Sequence, residues 1–337
     1  MRIEPLIKVK LYFLALVFIL ILAGCDQGVL SGVGYQKVTV SDPVTNSKIE
    51  VALWYPTLRA SRNKRLGPFI ESLAVDAVPD DSNGLIVLSH GFAGDSLSHI
   101  DTAIYLAKHG FFVATPTHPD LVGLKSNNLQ LDPLVMRPRV VPLLLDFLLE
   151  EERFKNTLAH KNIGILGYSI GAYTALSALG GHPAFDGLAD YCNKVSIGDV
   201  LCAKWSKARF ENISSQLNFE RDTRIQAALL LAPGYGPLFD KQALSNVNVP
   251  IKIYSAEQDQ DLPEPFHTGS YKNNLPIPPE HEVIANAGHF VFLAPCPDGL
   301  KKKIPKFCVD PDGVDREVVH GKINAGIVDF FIKTFSE

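Results

Sequence analysis

Hydrophobic and polar positions change rhythm twice along the chain. An uninterrupted apolar run at 11–22 follows Arg2, Lys8 and Lys10. It is too short for a comfortable membrane span, and its basic flank and small-residue end are those of an export signal over 1–24. After a linker around 28–34, residues 35–40 and 49–55 read as strands separated by the turn at Asp42-Pro43, which predicts an opening β-hairpin. From residue 84 the rhythm changes. Short apolar runs at 85–88, 111–114, 163–166, 225–231, 251–254 and 282–284 alternate with helical segments at 100–108, 140–151, 170–179 and near 314–335. Strands that are apolar throughout belong to a mostly parallel sheet with helices on both faces. The prediction is one α/β domain over 35–337 with no internal repeat. Residues 181–223 form a longer excursion carrying Cys192, Cys202, Trp205 and Phe210. Its place, directly after the helix at 170–179, predicts a cap-like insertion over a substrate pocket at the sheet's C-terminal edge.

Composition narrows the picture. With 337 residues, 46% of them hydrophobic, the chain can bury a large core, and its net charge of −4 speaks against nucleic acid as a partner. The end of the apolar run, Leu22-Ala23-Gly24-Cys25, resembles the bacterial lipobox. That resemblance implies cleavage before a lipidated Cys25, a lipid-anchored linker over 25–34, and attachment to a membrane of the bacterial cell envelope; an uncleaved anchor is the alternative. Asp26 resembles an inner-membrane retention signal. With Cys25 assigned to lipid, four cysteines remain. They fall into two local pairs, Cys192–Cys202 and Cys296–Cys308, spaced too widely for a four-cysteine zinc site and expected as disulfides in an exported protein. No metal-ligand cluster and no phosphate-cradling glycine loop stands out, so no metal and no cofactor is expected.

The candidate chemistry lies at strand ends. The run 163–166 leads into Gly167-Tyr168-Ser169-Ile170-Gly171 and then a good helix former, the strand–turn–helix context in which G-x-S-x-G presents a nucleophilic serine. A serine hydroxyl needs a base, and the base needs an acid to orient it. His289 follows the last predicted strand in Ala287-Gly288-His289-Phe290, where this order of elements puts the base. For the acid, Asp259 and Asp261 compete after the run 251–254; Asp259 stands four residues before Pro263, a spacing that resembles the acid-bearing turn of many α/β-hydrolases. The oxyanion of an acyl-transfer intermediate requires backbone donors. Ile170 N–H and Phe92 N–H, the latter in Ser89-His90-Gly91-Phe92-Ala93-Gly94, are the candidates. His90 precedes the nucleophile and is expected to hydrogen-bond the loop rather than act as base. His109, His281 and His320 read as ordinary residues of helix end, strand start and last helix.

Together with Val51-Ala52-Leu53-Trp54-Tyr55-Pro56 and the stretch from Gly288 to Cys296, these motifs resemble the α/β-hydrolase superfamily. Within it they are similar to bacterial dienelactone-hydrolase-like lipoproteins related to platelet-activating-factor acetylhydrolases. The resemblance implies an α/β-hydrolase fold and ester hydrolysis, including removal of short acyl groups from phospholipids. Two departures stand out. Dienelactone hydrolases use a cysteine where this chain has Ser169, and the animal acetylhydrolases place their acid after the preceding strand, where this chain has none until Asp240. The expected activity is that of a serine esterase on small-molecule or lipid esters. A catalytically silent binding or scaffold lipoprotein, or a peptidase on the same fold, is the alternative.

Overall fold

Leu85, Ile86, Val87 and Leu88 are all buried, with Leu85 and Val87 in one hydrophobic cluster and Ile86 and Leu88 in another. Successive strand side chains point to opposite faces, so such a run is stable only between two apolar layers. The computed structural model describes residues 32–125, 128–158, 161–195, 200–203, 207–217 and 219–336; Cys25, the expected export signal over 1–24 and Trp205 lie outside them. Ten strands form the sheet: β1 (Gly32–Ser41), β2 (Lys48–Thr57), β3 (Arg62–Leu66), β4 (Phe69–Val75), β5 (Gly84–Ser89), β6 (Phe111–Pro116), β7 (Ile163–Tyr168), β8 (Ile225–Leu231), β9 (Ile251–Ala256) and β10 (Glu280–Ile284). Their spatial order is β10-β9-β8-β7-β5-β6-β2-β1-β4-β3. The six strands from β10 to β6 are parallel, and the β1–β2 hairpin adds antiparallel to β6.

Helices α1 (Ile100–Lys108) and α2 (Arg316–Ser336) contribute to the cluster on one face, and α3 (Pro133–Glu150) and α4 (Ile170–Ala178) to that on the other. Among the described residues no helix is long and apolar enough to cross a membrane. From β5 the chain moves outward to β6, whereas from β7 it moves the opposite way to β8. The C-terminal ends of β5 and β7 therefore flank a topological switch point, the place where open α/β sheets form a crevice. This is the α/β-hydrolase arrangement that the sequence predicts.

Three differences from the sequence reading bear on the architecture. β1 starts at Gly32, so the expected linker at 28–34 runs into the first strand. The β3–β4 hairpin escapes the pattern because Arg62, Asn63, Lys64 and Arg65 are all exposed and carry no apolar alternation. α3 begins at Pro133, earlier than residue 140, and runs through Pro138 and Pro142. Pro138 cannot donate to the Leu134 carbonyl four residues back, and the Tyr173 hydroxyl donates to that carbonyl instead, at 2.8 Å. Asp132 caps the helix by accepting the Leu134 N–H at 3.0 Å.

Both expected disulfides are formed, Cys192–Cys202 and Cys296–Cys308. The 181–223 excursion holds helices Leu188–Lys194 and Lys207–Ser214. It packs on the segments that follow β8 and β9: Ala184 N–H donates to the Leu238 carbonyl at 2.7 Å, and Tyr191 Oη lies 3.1 Å from His267 Nε2.

Candidate active site

Ser169 sits between β7 and α4 with φ 55° and ψ −119°, a conformation that a side-chain-bearing residue adopts only when its surroundings impose it. The flanking glycines make that possible. A Cβ on Gly167 would lie 2.3 Å from the Gly171 carbonyl oxygen, and one on Gly171 would lie 2.1 Å from that of Ser89. Strand, turn and helix therefore approach closer than any side chain permits. The turn is tied down further: Ser169 N–H donates to the Leu231 carbonyl, and Gly234 N–H donates to the Ser169 carbonyl, each at 3.0 Å.

Ser169 Oγ lies 3.2 Å from His289 Nε2, and His289 Nδ1 lies 2.7 Å from Asp259 Oδ2. A carboxylate only accepts, so Nδ1 carries the proton and Nε2 turns its lone pair toward the serine hydroxyl. The other Asp259 oxygen accepts the backbone N–H groups of Leu262 at 2.8 Å and Asp261 at 3.1 Å, which fixes the carboxylate plane. Asp261 points elsewhere, 3.8 Å from Lys306 Nζ. Asp240 is occupied with the Ala243 N–H at 2.7 Å. The fold thus brings together Ser169, His289 and Asp259 and leaves the other two acids out.

His289 begins a short 3-10 turn, His289–Phe292. The Tyr168 hydroxyl donates to the His289 carbonyl at 3.1 Å. On the next carbonyl but one, His320 Nε2 lies 2.7 Å from the Val291 oxygen, while its Nδ1 lies 2.5 Å from Asp101 Oδ2. Both partners of His320 are acceptors, so the imidazole carries two protons. Burial disfavours that charge, but the Asp101 carboxylate outweighs it and the His320 pKa is raised. His320 reads in sequence as an ordinary helix position; only its burial at 4% exposure reveals the ion pair.

The loop after β5 abuts Ser169, since a Cβ on Gly91 would lie 2.8 Å from the Tyr168 ring and 3.5 Å from Ser169 Cβ. Ile170 is the first residue of α4, where a backbone N–H has no partner in its own helix. Phe92 lies in the turn closed by Gly94 N–H to the Gly91 carbonyl at 3.2 Å. His90 is turned into the loop with both ring nitrogens occupied: its Nε2 accepts the His118 N–H at 2.9 Å and its Nδ1 lies 2.6 Å from the Gly91 carbonyl. Burial, aided by the Arg137 charge, pushes its pKa down to about 3, so it stays neutral. His118 is pushed well down by burial and the same arginine, and its Nε2 lies 3.0 Å from Ser89 Oγ.

Beneath this loop the sequence reading missed a buried ion pair. Arg137 and Asp120 have fully buried side chains, with Nε and Nη2 of the arginine at 2.7 and 2.6 Å from the two carboxylate oxygens. Of the two arginines in α3, Arg137 is the one that falls among the buried apolar positions, and such a charge requires a buried partner. Among the described residues no group of His, Cys, Asp and Glu could hold a metal ion.

No protein-family model matches the chain, and no curated protein matches it. Solved structures do. A predicted CIB-like hydrolase from Thermoplasma acidophilum is 12% identical, with 90% of this chain and 100% of the other covered and a TM-score of 0.46. A zinc-bound cold-adapted esterase from an Arctic intertidal metagenomic library is 12% identical over 90% and 95%, with a TM-score of 0.48. A dienelactone hydrolase from Anabaena variabilis is 14% identical over 81% and 94%, with a TM-score of 0.46.

Proposed function

We propose that the protein is a serine hydrolase that cleaves carboxylic esters, short-chain or phospholipid acyl esters among them, at the bacterial cell envelope. The observation that carries this reading is the chain of contacts from Ser169 Oγ to His289 Nε2 at 3.2 Å and from His289 Nδ1 to Asp259 at 2.7 Å, set at the switch point of the sheet. In the proposed reaction His289 Nε2 takes the hydroxyl proton as Ser169 Oγ attacks the ester carbonyl. Negative charge moves to the former carbonyl oxygen, where the N–H groups of Ile170 and Phe92 receive it. Collapse breaks the bond to the alcohol oxygen, which leaves with the proton from His289. Water, deprotonated by the same nitrogen, then hydrolyses the acyl-enzyme. The excursion at 181–223 would cap the acyl pocket, and lipid on Cys25 would hold the enzyme at the membrane.

The test uses full-length protein in detergent, its Ser169→Ala variant, p-nitrophenyl esters from acetate to palmitate, and a fluorophosphonate probe. Turnover and labelling in the wild type, with both lost in a variant that melts at the same temperature, are expected. Labelling that persists in Ser169→Ala would place the nucleophile elsewhere. No turnover and no labelling in the wild type would overturn the reading in favour of a binding lipoprotein.

A further inference from the structure

Arg137 does more than neutralise Asp120. Its Nη1 donates to the His90 carbonyl at 2.8 Å and its Nη2 to the Gly91 carbonyl at 3.0 Å. Asp120 Oδ2, held by the same guanidinium, accepts the Ala93 N–H at 2.9 Å. One bidentate pair therefore fixes three peptide groups that bracket Phe92. The need for such a clamp is visible in the backbone: Ala93 has φ 58°, the left-handed region that alanine avoids. A loop that holds an alanine in that conformation would relax if nothing outside it held it.

The direction of the clamp matters. The one cis peptide bond among the described residues is Glu264-Pro265, so the Gly91–Phe92 peptide is trans and its N–H is antiparallel to its C=O. Pulling the Gly91 carbonyl down onto Arg137 turns the Phe92 N–H to the opposite side of the loop. Gly91 itself abuts Tyr168 and Ser169. An oxyanion donor is effective only if it is aimed before charge develops, so that no reorganisation is needed during the reaction. His90 completes the arrangement as a neutral strut, its Nδ1 on the Gly91 carbonyl and its Nε2 receiving the His118 N–H.

We propose that Arg137, anchored by Asp120, is the positioning residue of the oxyanion loop: it holds the Gly91 carbonyl so that the Phe92 N–H faces the reacting carbonyl oxygen. The inference rests on the serine-hydrolase reading and adds to it a group that touches neither substrate nor nucleophile. A guanidinium is required because only its planar fork can serve a carboxylate and two carbonyls at once.

The experiment compares full-length wild type, Arg137→Lys and Asp120→Asn in p-nitrophenyl acetate hydrolysis between pH 5 and 9, with phenylboronic acid as an inhibitor that forms a tetrahedral adduct on serine. Melting temperatures establish which variants are folded, and Asp120→Asn, nearly isosteric, serves if Arg137→Lys is not. The expected result is a kcat lowered about a hundredfold, KM within about threefold, an unchanged pH midpoint for the basic group, and phenylboronic acid inhibition weakened in parallel with kcat. Folded variants with kcat within about threefold of wild type would overturn the proposal. So would a joint shift of kcat, KM and pH midpoint, the mark of general damage to the site. A wild type that neither turns over ester nor reacts with a fluorophosphonate would instead overturn the hydrolase reading, and this inference with it.

Discussion

The Tyr168 hydroxyl donates to the His289 carbonyl at 3.1 Å, and the two rings stack with centroids 5.1 Å apart. The residue just before Ser169 thus positions His289, 121 residues away in sequence. Tyr168→Phe keeps the stacking and removes the hydrogen bond. Turnover is expected to fall by about fivefold to tenfold, the equivalent of roughly 1 kcal/mol. Steady-state kinetics beside Ser169→Ala will show whether the loss is of this size or nil.

Asp259 and Asp261 offer a sharper comparison. Asp259→Asn keeps the shape of the side chain but loses the acceptor that holds the Nδ1–H tautomer and the imidazolium, so kcat is expected to fall by about 10⁴-fold. Asp261→Asn removes only a 3.8 Å contact with the exposed Lys306 and is expected to leave kcat within about twofold. The reverse ranking would contradict the assignment of Asp259.

The Asp101–His320 pair predicts a pH dependence of stability. The His320 pKa is raised above 6.5, so its contribution is complete below pH 6.5 and is lost as pH rises through the folded value. Burial pushes the Asp101 carboxyl up, but His320 and Asn324 outweigh this and its pKa lies below 3.8. Its contribution is therefore complete above pH 3.8 and lost as pH falls through the folded value. Of the other ionisable neighbours, His99 is pushed down to about 4 by burial, and Arg316, paired with Asp310 at 2.7 Å, opposes the His320 charge. Between pH 6 and pH 9 the wild type is expected to lose melting temperature more steeply than His320→Gln. Parallel melting curves for the two proteins would refute the doubly protonated imidazole.

Tyr173→Phe tests the proline-bearing helix. The Leu134 carbonyl, denied its helical partner by Pro138, would lose the Tyr173 hydroxyl as well and remain buried without a donor. A loss of about 1–3 kcal/mol is expected in denaturant unfolding. Pro138→Ala in the same background restores an N–H at that point and should recover part of the loss.

The sequence by itself determined what depends on near neighbours. Apolar runs such as Leu85 to Leu88 declare strands covered on both faces, and Gly167 and Gly171 around Ser169 declare the tight turn, because both signals are written within a few residues. The local cysteine pairs follow the same logic, since chains of 10 and 12 residues bring their ends together easily. Tertiary structure decided everything that turns on direction. Asp259 and Asp261 are equivalent as letters, and the turn after β9 aims one at His289 and the other at Lys306. Asp120, Arg137 and His90 are spread over 47 positions, and His320 lies 219 from Asp101. A buried charge is tolerable only beside its partner, and that partner is chosen by how helices pack on the sheet, a choice no local pattern of residues records.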